Sequence, residues 1–147
     1  MFVCYGNICR STMAEFVFRD MIKKAGLHNK ISVSSSATSR EEIGNPVHRG
    51  TREKLAEVGI STDGKYAVQL QKSDYEKYDY IIGMEEFNIR GIMRIIGDDP
   101  ENKVCKLLDF ADGGDIADPW YTGDFDATYD DVFLGCKGLL KKLKEEI

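Results

Sequence analysis

Cys4 and Arg10 are two residues whose types and spacing could carry out chemistry, because a thiol and a guanidinium are separated by five residues. The backbone N–H groups of a span of this length can all point inward and form a nest that binds an anion. Arg10 adds a planar fork that can hold two oxygens of a phosphate. The pattern therefore predicts that the sulfur of Cys4 attacks phosphorus and forms a covalent intermediate.

The residues inside and after this loop suit the same purpose. Gly6 permits the positive φ that such an arc requires, and Asn7 tolerates it better than most residues. The loop leads into a predicted helix, whose N-terminus favours negative charge. Because this helix end and Arg10 both favour an ionised thiol, we expect Cys4 to be a thiolate at neutral pH. Ser11 is placed where its hydroxyl can hydrogen-bond the sulfur and ease its departure.

The bare spacing of a cysteine and an arginine has little specificity. The alternative is that Cys4 is a buried structural cysteine next to an ordinary turn between a strand and a helix. The position after a strand, the Gly-Asn pair inside the loop and the Ser-Thr pair after it favour the catalytic interpretation.

A second candidate for chemistry lies far along the chain, at Asp118-Pro119-Trp120-Tyr121. Pro119 biases the backbone of Asp118 toward extended geometry, which can aim its carboxyl group. Such a group can protonate a departing phenolate and then activate water for a second step. Trp120 and Tyr121 can form walls of a pocket and stack on a flat aryl group. The alternative is a common Asp-Pro turn with aromatic residues that serve packing alone.

Alternating strand and helix patterns must position these groups. Strands are predicted at residues 1–4, 31–35, 78–84 and 103–108, helices at 12–25, 46–58, 85–96 and 127–146, and a long loop at 109–124. We expect Ser11 or Thr12 to cap the first helix, with Thr12 and Glu15 as a capping box. The residues expected on the buried face of the last helix are Val132, Phe133, Leu139, Leu140 and Leu143.

This alternation predicts a parallel sheet that is covered by helices on both faces. Ligands of such sheets bind beyond the carboxyl ends of the strands. The loop between Cys4 and Arg10 follows the first strand, so it is predicted to lie at that edge.

Composition narrows the class of protein. The chain has 147 residues, 42% hydrophobic residues and a formal net charge of -5, which favours one globular domain and argues against nucleic acid as a partner. No segment has the apolar length of a membrane span, and residues 1–6 lack the features of a secretory signal. We therefore expect a cytoplasmic protein with reduced thiols. No closely spaced cysteine pair of the zinc-binding kind is present, which argues against a zinc module built on the four cysteines.

Together these residues resemble the low-molecular-weight protein tyrosine phosphatases. Residues 3–11 are similar to the phosphate loop of that family and residues 118–121 to its acid loop, with weaker similarity at 35–39, 44–46 and 78–84. The resemblance implies one domain of this family over residues 1–147, a three-layer α/β/α fold, and a four-stranded parallel sheet in the flavodoxin-like order 2-1-3-4. It also implies hydrolysis of phosphotyrosine in proteins and of small aryl phosphates, without a cofactor.

The resemblance further implies a role for each matching residue. Cys4 would be the nucleophile, Arg10 the phosphate clamp, and Asp118 the general acid and base. The other residues of the phosphate-binding loop would be Tyr5, Gly6, Asn7, Ile8, Cys9 and Ser11. The substrate contacts would be Trp120, Tyr121 and Glu41, and Asn7 would be hydrogen-bonded toward Ser35. Cys9 would either form a reversible disulfide with Cys4 under oxidation or be a passive loop residue.

The sequence departs from the family pattern at several positions, and the first strand is also shorter than usual. Thr12 replaces a proline that suits the first turn of a helix. Glu41 stands where many relatives carry an aromatic residue, which either weakens aryl contacts or selects a basic neighbour in the substrate. Lys65 takes the place of the usual histidine of a His-x-Ala-Arg segment. Ile8 favours phosphotyrosine over phosphoarginine, because relatives that act on phosphoarginine carry a threonine there.

Other classes of protein remain as alternatives. A thiol-dependent arsenate reductase shares the loop but needs two more redox cysteines in a flexible segment, whereas Cys105 and Cys136 lie in a predicted strand and helix. A phosphocysteine carrier of sugar uptake would have no use for Arg10 and Asp118. A pseudophosphatase that only binds phosphotyrosine would lack the nucleophile, the clamp or the acid.

The expected partner is a phosphotyrosine protein, with no nucleic acid or membrane, and the expected state is a monomer or weak homodimer.

Overall fold

Four short parallel strands form the centre of the protein. The computed structural model describes residues 1–147, and the strands are β1 (Phe2–Cys4), β2 (Ser35–Ala37), β3 (Ile81–Gly83) and β4 (Val104–Lys106). They lie in the order β2-β1-β3-β4, and Phe2 of β1 is level with Ser35 and Ile82 of its two neighbours. The predicted parallel sheet and its order 2-1-3-4 are therefore confirmed.

The helices cover both faces of this sheet. They are α1 (Arg10–Lys24), α2 (Arg49–Glu57), α3 (Asp74–Lys77), α4 (Glu86–Ile96), a 3₁₀ helix (Leu107–Phe110), α5 (Pro119–Thr122) and α6 (Phe125–Glu146). No helix combines the length and the apolar character that a membrane crossing requires.

Successive side chains of β1 point to opposite faces, as the pleat of a strand dictates. Phe2 and Cys4 join the larger core, which also contains residues of α1, Leu55 of α2 and the buried face of α6. Val3 joins a smaller core with Ile92 and residues of β3 and α4. The predicted three-layer arrangement is confirmed, and β1 is buried from both sides.

Three elements begin at least three residues later than the sequence pattern predicts. The strand expected at residues 78–84 is found at Ile81–Gly83. The strand expected at residues 31–35 is found at Ser35–Ala37, because the apolar side chains before it pack against the larger core without strand pairing. The helix expected at residues 46–58 begins at Arg49. Pro46 instead forms an isolated bridge with Tyr66, and the side chain of His48 caps α2 by accepting from the N–H of Gly50.

The predicted caps of α1 are wrong. The helix begins at Arg10 after Cys9, and no side chain caps it. The hydroxyl of Thr12 donates to the carbonyl oxygen of Cys9 at 2.8 Å, while Glu15 accepts from the hydroxyl of Ser35. A local bond to Cys9 thus uses the Thr12 hydroxyl, and a tertiary contact with Ser35 uses the Glu15 carboxylate, so no capping box forms. The predicted end of α1 is correct, since Gly26 follows it with a φ of 71°.

The C-terminal half differs from the prediction in detail. The loop expected at residues 109–124 contains α5 and the end of the 3₁₀ helix, and α3 was not predicted. Val132 and Leu139 of α6 are buried, as expected, and Leu140 and Leu143 pack against the core edge. Phe133 was predicted to be buried but is 40% exposed. The face that meets the core instead contains Gly135 and Cys136, whose small size lets α6 approach closely.

Gly138 is the residue where this close approach is most demanding. A Cβ atom there would lie 1.8 Å from the carbonyl oxygen of Phe110. We expect Gly138→Ala to lower the free energy of unfolding by about 1–3 kcal/mol in urea denaturation, despite the higher helix propensity of alanine. The control Lys137→Ala, at an exposed position of the same helix, should change it by less than about 0.5 kcal/mol. A Gly138→Ala variant as stable as the wild type would contradict this packing.

Candidate active site

The loop between β1 and α1 has both ends fixed by secondary structure. β1 ends at Cys4 and α1 begins at Arg10. Asn7 has a φ of 58°, as the sequence suggested, whereas the φ of Gly6 is not positive, so that expectation for Gly6 is wrong. Gly6 is suited to its position for another reason, because a Cβ atom there would lie 3.3 Å from Cγ of Glu42. The turn of the loop therefore depends on Asn7.

The buried sulfur of Cys4 lies among hydrogen-bond donors. The backbone N–H of Asn7 points at it from 3.3 Å, and the hydroxyl of Ser11 is 3.0 Å away. Both the inward direction of the Asn7 amide and the position of Ser11 agree with the geometry expected from the sequence. Such donors favour a sulfur that carries negative charge.

Asn7 is held in its unusual conformation by its own side chain. Its Nδ2 donates to the hydroxyl of Ser11 at 2.8 Å and to that of Ser35 at 2.9 Å. Its Oδ1 accepts from the N–H of Val68 at 3.1 Å. The hydrogen bond toward Ser35 that the resemblance implied is present. Asn7 is almost fully buried, so these bonds are shielded from water and tie the loop to β2 and to residue 68.

Lys65 extends this network on the side away from the sulfur. Its ammonium donates to the carbonyl oxygen of Ser35 at 3.0 Å and pairs with Glu15 at 3.3 Å. The hydroxyl of Ser35 donates to the same carboxylate. Lys65 stands where the family pattern has histidine, and it still contacts Ser35. The sequence did not reveal this role of Glu15, whose carboxylate had been assigned to a cap.

Arg10 is buried and its guanidinium is held from three sides. Its Nη1 donates to the carboxylate of Glu85 and to the carbonyl oxygen of Ile116 at 3.0 Å. Its Nη2 donates to Asp118 at 3.3 Å, while its buried Nε has no partner in the protein. Glu85 was not a predicted site residue. The available signal was its position directly after β3, at the carboxyl edge where ligands of parallel sheets bind.

Asp118 serves as the N-cap of α5 and also faces the pocket. One carboxylate oxygen accepts from the N–H of Trp120 at 3.0 Å, and the other contacts Arg10. Its backbone is extended and Pro119 is the first residue of the helix, as the sequence suggested. The fold thus brings this carboxyl group next to Arg10, although the two residues are 108 positions apart in the sequence.

A cavity of about 110 Å³ connects these groups to solvent. The residues that line it include Cys4 and Arg10 at the loop, Asp118, and the three predicted substrate contacts Glu41, Trp120 and Tyr121. Tyr121 is 84% exposed and Trp120 is 57% exposed. His48, for which no role was predicted, lies edge-on to the Trp120 ring at 5.5 Å. The aromatic residues Trp120 and Tyr121 thus form a rim around the pocket and do not belong to the hydrophobic core.

Tyr5 also contributes to this rim. Its ring lies 5.9 Å from that of Phe87. Tyr5 and Glu41 both line the mouth of the pocket, and the nearby carboxylate of Glu41, as a hydrogen-bond acceptor, raises the pKa of the Tyr5 phenol. Glu41 therefore brings negative charge to the mouth.

The other cysteines differ from Cys4. Burial, with a smaller contribution from negative charge at Cys4, raises the pKa of the Cys9 thiol to about 12. Cys105 lies in β4 and Cys136 in α6, as predicted. Neither is in a flexible loop next to the pocket, which is the arrangement that an arsenate reductase would need.

Comparison with known proteins gives one consistent result. The family model described as low molecular weight phosphotyrosine protein phosphatase matches residues 1–147. YfkJ of Bacillus subtilis, a low molecular weight protein-tyrosine-phosphatase, is 42% identical over 99% of this chain and 96% of its own. PtpA of Staphylococcus aureus, a protein of the same description, is 36% identical over 95% and 89%.

Solved structures agree with this result. The crystal structure of YfkJ matches with a TM-score of 0.95 over 99% of this chain and 93% of that one. SP-PTP, a low molecular weight protein tyrosine phosphatase from Streptococcus pyogenes, matches with a TM-score of 0.86 at 39% identity, over 97% of this chain and 90% of that one.

The fold and the site define an α/β phosphatase whose phosphate-binding loop joins the first strand to the first helix. The chain belongs to the low molecular weight phosphotyrosine protein phosphatase family, and it is a protein-tyrosine phosphatase. The family named from the sequence is therefore confirmed.

The Lys65 contacts lead to a first prediction about the site. We expect Lys65→Met to lower kcat by roughly tenfold to a hundredfold, because Ser35 and Asn7 lose the support that holds the loop. The control is Lys54→Met, which also removes a largely buried ammonium, one that pairs with Glu57 and Asp126 away from the loop. Steady-state hydrolysis of an aryl phosphate measures both variants. Equal losses of kcat in the two variants would contradict a specific role for Lys65.

The raised pKa of Cys9 gives a pH prediction. A raised pKa keeps the thiol neutral below its value, so Cys9 should stay protonated and react slowly with iodoacetamide from about pH 6 to about pH 10. The rate should rise only as pH approaches about 12. Mass spectrometry of the Cys4→Ser variant measures labelling of Cys9 alone in this loop. An ordinary thiol has a pKa of about 8.5. A midpoint of the labelling rate near that pH would show that the prediction is wrong.

Proposed function

We propose that Cys4, Arg10 and Asp118 carry out the dephosphorylation of phosphotyrosine in proteins, through a phosphocysteine on Cys4. The observation that carries this assignment is the convergence of three groups on one small pocket: the sulfur, the buried guanidinium and the carboxyl group of Asp118. The donors around the sulfur support its role as nucleophile.

In the first step, the loop amides and Arg10 would hold the equatorial oxygens of the phosphoryl group. The free Nε–H of Arg10 and its Nη2 group, which now faces Asp118, offer two donors for this purpose. The sulfur of Cys4 forms a bond to phosphorus while the bond from phosphorus to the phenolic oxygen breaks. Asp118 gives its proton to that oxygen, so tyrosine leaves as the neutral phenol.

In the second step, Asp118 accepts a proton from water, and the water oxygen attacks phosphorus. The bond between phosphorus and sulfur breaks, and inorganic phosphate is released. The hydroxyl of Ser11, 3.0 Å from the sulfur, stabilises the departing thiolate by a hydrogen bond. Asn7 orients Ser11 and therefore acts on this step through it.

Glu85 would act as a positioning residue for Arg10. It binds Nη1, whereas Asp118 contacts Nη2, so Nε and Nη2 are left for phosphate. Trp120, Tyr121 and Tyr5 would bind the aryl ring, while Glu41 would contact the part of the substrate outside the pocket. Gly6, Ile8 and Cys9 would contribute backbone amides to the phosphate.

We also propose that residues 1–147 form one catalytic domain. This domain would act in the cytoplasm as a monomer or weak homodimer, and it would need no metal. The formal net charge of -5 supports the proposal that it does not bind nucleic acid. The match of the family description to all 147 residues supports the single domain.

Replacement of the nucleophile and the acid tests the assignment. Cys4→Ser should abolish metal-free hydrolysis of phosphotyrosine and of aryl phosphates, because an alcohol is not ionised in this setting. Asp118→Asn should lower kcat by roughly 10²- to 10⁴-fold, since the leaving group then departs without a proton. The loss should be smaller for aryl phosphates whose phenol is a strong acid. Hydrolysis that survives in Cys4→Ser would end the covalent mechanism.

A further inference from the structure

A second groove opens from the side of the catalytic pocket. It has a volume of about 470 Å³ and shares Tyr5, Arg10, Glu41, Asp118 and Tyr121 with the pocket. Glu85, Phe87 and Thr122 complete its lining. A peptide whose phosphotyrosine enters the pocket must pass over this groove, because the two share the same mouth.

The charges of this groove are mostly negative. Glu41, Glu85 and Asp118 bring three carboxylates, and the one cation that lines it is Arg10. Arg10 is buried at the base and already binds Glu85 and Asp118. When a phosphoryl group occupies the loop, Nε and Nη2 of Arg10 turn to it, Nη1 stays bound to Glu85, and Asp118 carries the proton that it gives to the leaving group. Glu41 is then the carboxylate of the groove that has no cation beside it.

Glu41 is the carboxylate that is available to a ligand at the outer edge. It is exposed and forms no ion pair with the protein. The neighbouring cation, Arg40, donates instead to the side-chain oxygen of Gln69 at 3.2 Å. A cationic group of the substrate would therefore compete at Glu41 with the neutral Tyr5 hydroxyl but with no cation of this chain.

Aromatic faces surround these carboxylates. Phe87 is 44% exposed and lies next to Tyr5, while the exposed Tyr121 also lines the groove. A guanidinium binds carboxylates through its planar fork and also stacks on aromatic rings. A lysine ammonium can use the carboxylates but gains less from the rings. An acidic side chain would be repelled.

We propose that this groove binds a cationic side chain, preferably arginine, within two residues of the phosphotyrosine in a peptide substrate. This specificity rests on the proposed function, because it acts at the same pocket. In this proposal, Glu41 is the residue that determines the charge preference. The site would thereby distinguish peptides that carry the same phosphotyrosine but different neighbouring residues.

The test compares phosphotyrosine peptides that differ only in one flanking residue. Arginine, lysine, alanine or glutamate is placed in turn at each of the two positions before and after the phosphotyrosine. We expect kcat/KM for arginine to exceed that for glutamate by about tenfold at one or more of these positions, with lysine and alanine between them. The ratio should shrink at high salt, since exposed charges are screened.

Glu41→Gln should lower the arginine-to-glutamate ratio by about threefold or more. The matched control is Glu76→Gln, at an exposed position of α3 remote from the pocket, which should leave the ratio unchanged. Ratios within about twofold of one at all four positions would overturn the proposal, as would an equal effect of the two variants.

Hydrolysis of a small aryl phosphate by the wild type and by Cys4→Ser separates this proposal from the proposed function. If Cys4-dependent hydrolysis is present but the peptides do not differ, the charge preference alone is wrong. If hydrolysis does not depend on Cys4, the proposed function itself has failed.

Discussion

The left-handed conformation of Asn7 is the constraint on which the catalytic loop depends. A positive φ at a residue with a side chain is unfavourable, and here three hydrogen bonds from that side chain hold it in place. Because of this turn, the N–H of Asn7 points inward at the sulfur of Cys4. Without this turn, the amide of Asn7 would not face the sulfur.

The second requirement is that groups distant in sequence meet at one edge of the sheet. The carboxyl ends of β1 and β3 bring the loop and Glu85 together, and the loop after β4 brings Asp118. Arg10 joins them, since it donates to both carboxylates. The clamp is therefore preorganised by the protein before a phosphate arrives, which reduces the cost of ordering it during the reaction.

The parts of the site that depend on local sequence could be predicted. The loop from Cys4 to Arg10 and the turn at Asp118 are continuous motifs, and their backbone geometry follows from Asn7 and Pro119. Lys65 and Glu85 were not identified as contacts because their partners lie far away in the chain. Glu15 was misassigned for the same reason: its spacing from Thr12 suits a cap, but Ser35 and Lys65 take its carboxylate.

The fold also combines features that follow from local sequence patterns, which could be predicted, with features that depend on packing, which could not. Alternation of strand and helix patterns was sufficient to predict the parallel sheet, because it reflects burial that every arrangement of this class requires. It did not predict where β2 begins, since Ile31 and Val33 are partly buried without being paired. It also failed for Phe133, because α6 meets the core through small residues, which carry little hydrophobic signal.

A crystal structure with vanadate bound tests most directly whether the loop and Arg10 hold a phosphoryl group over the sulfur of Cys4, because vanadate adopts the geometry of a phosphoryl group under attack. We expect a bond between vanadium and the sulfur of Cys4, equatorial oxygens bound by the loop amides and by Arg10, and an Asn7 that keeps its positive φ. Vanadate bound without contact to that sulfur, or a loop whose amides turn outward around it, would contradict the account.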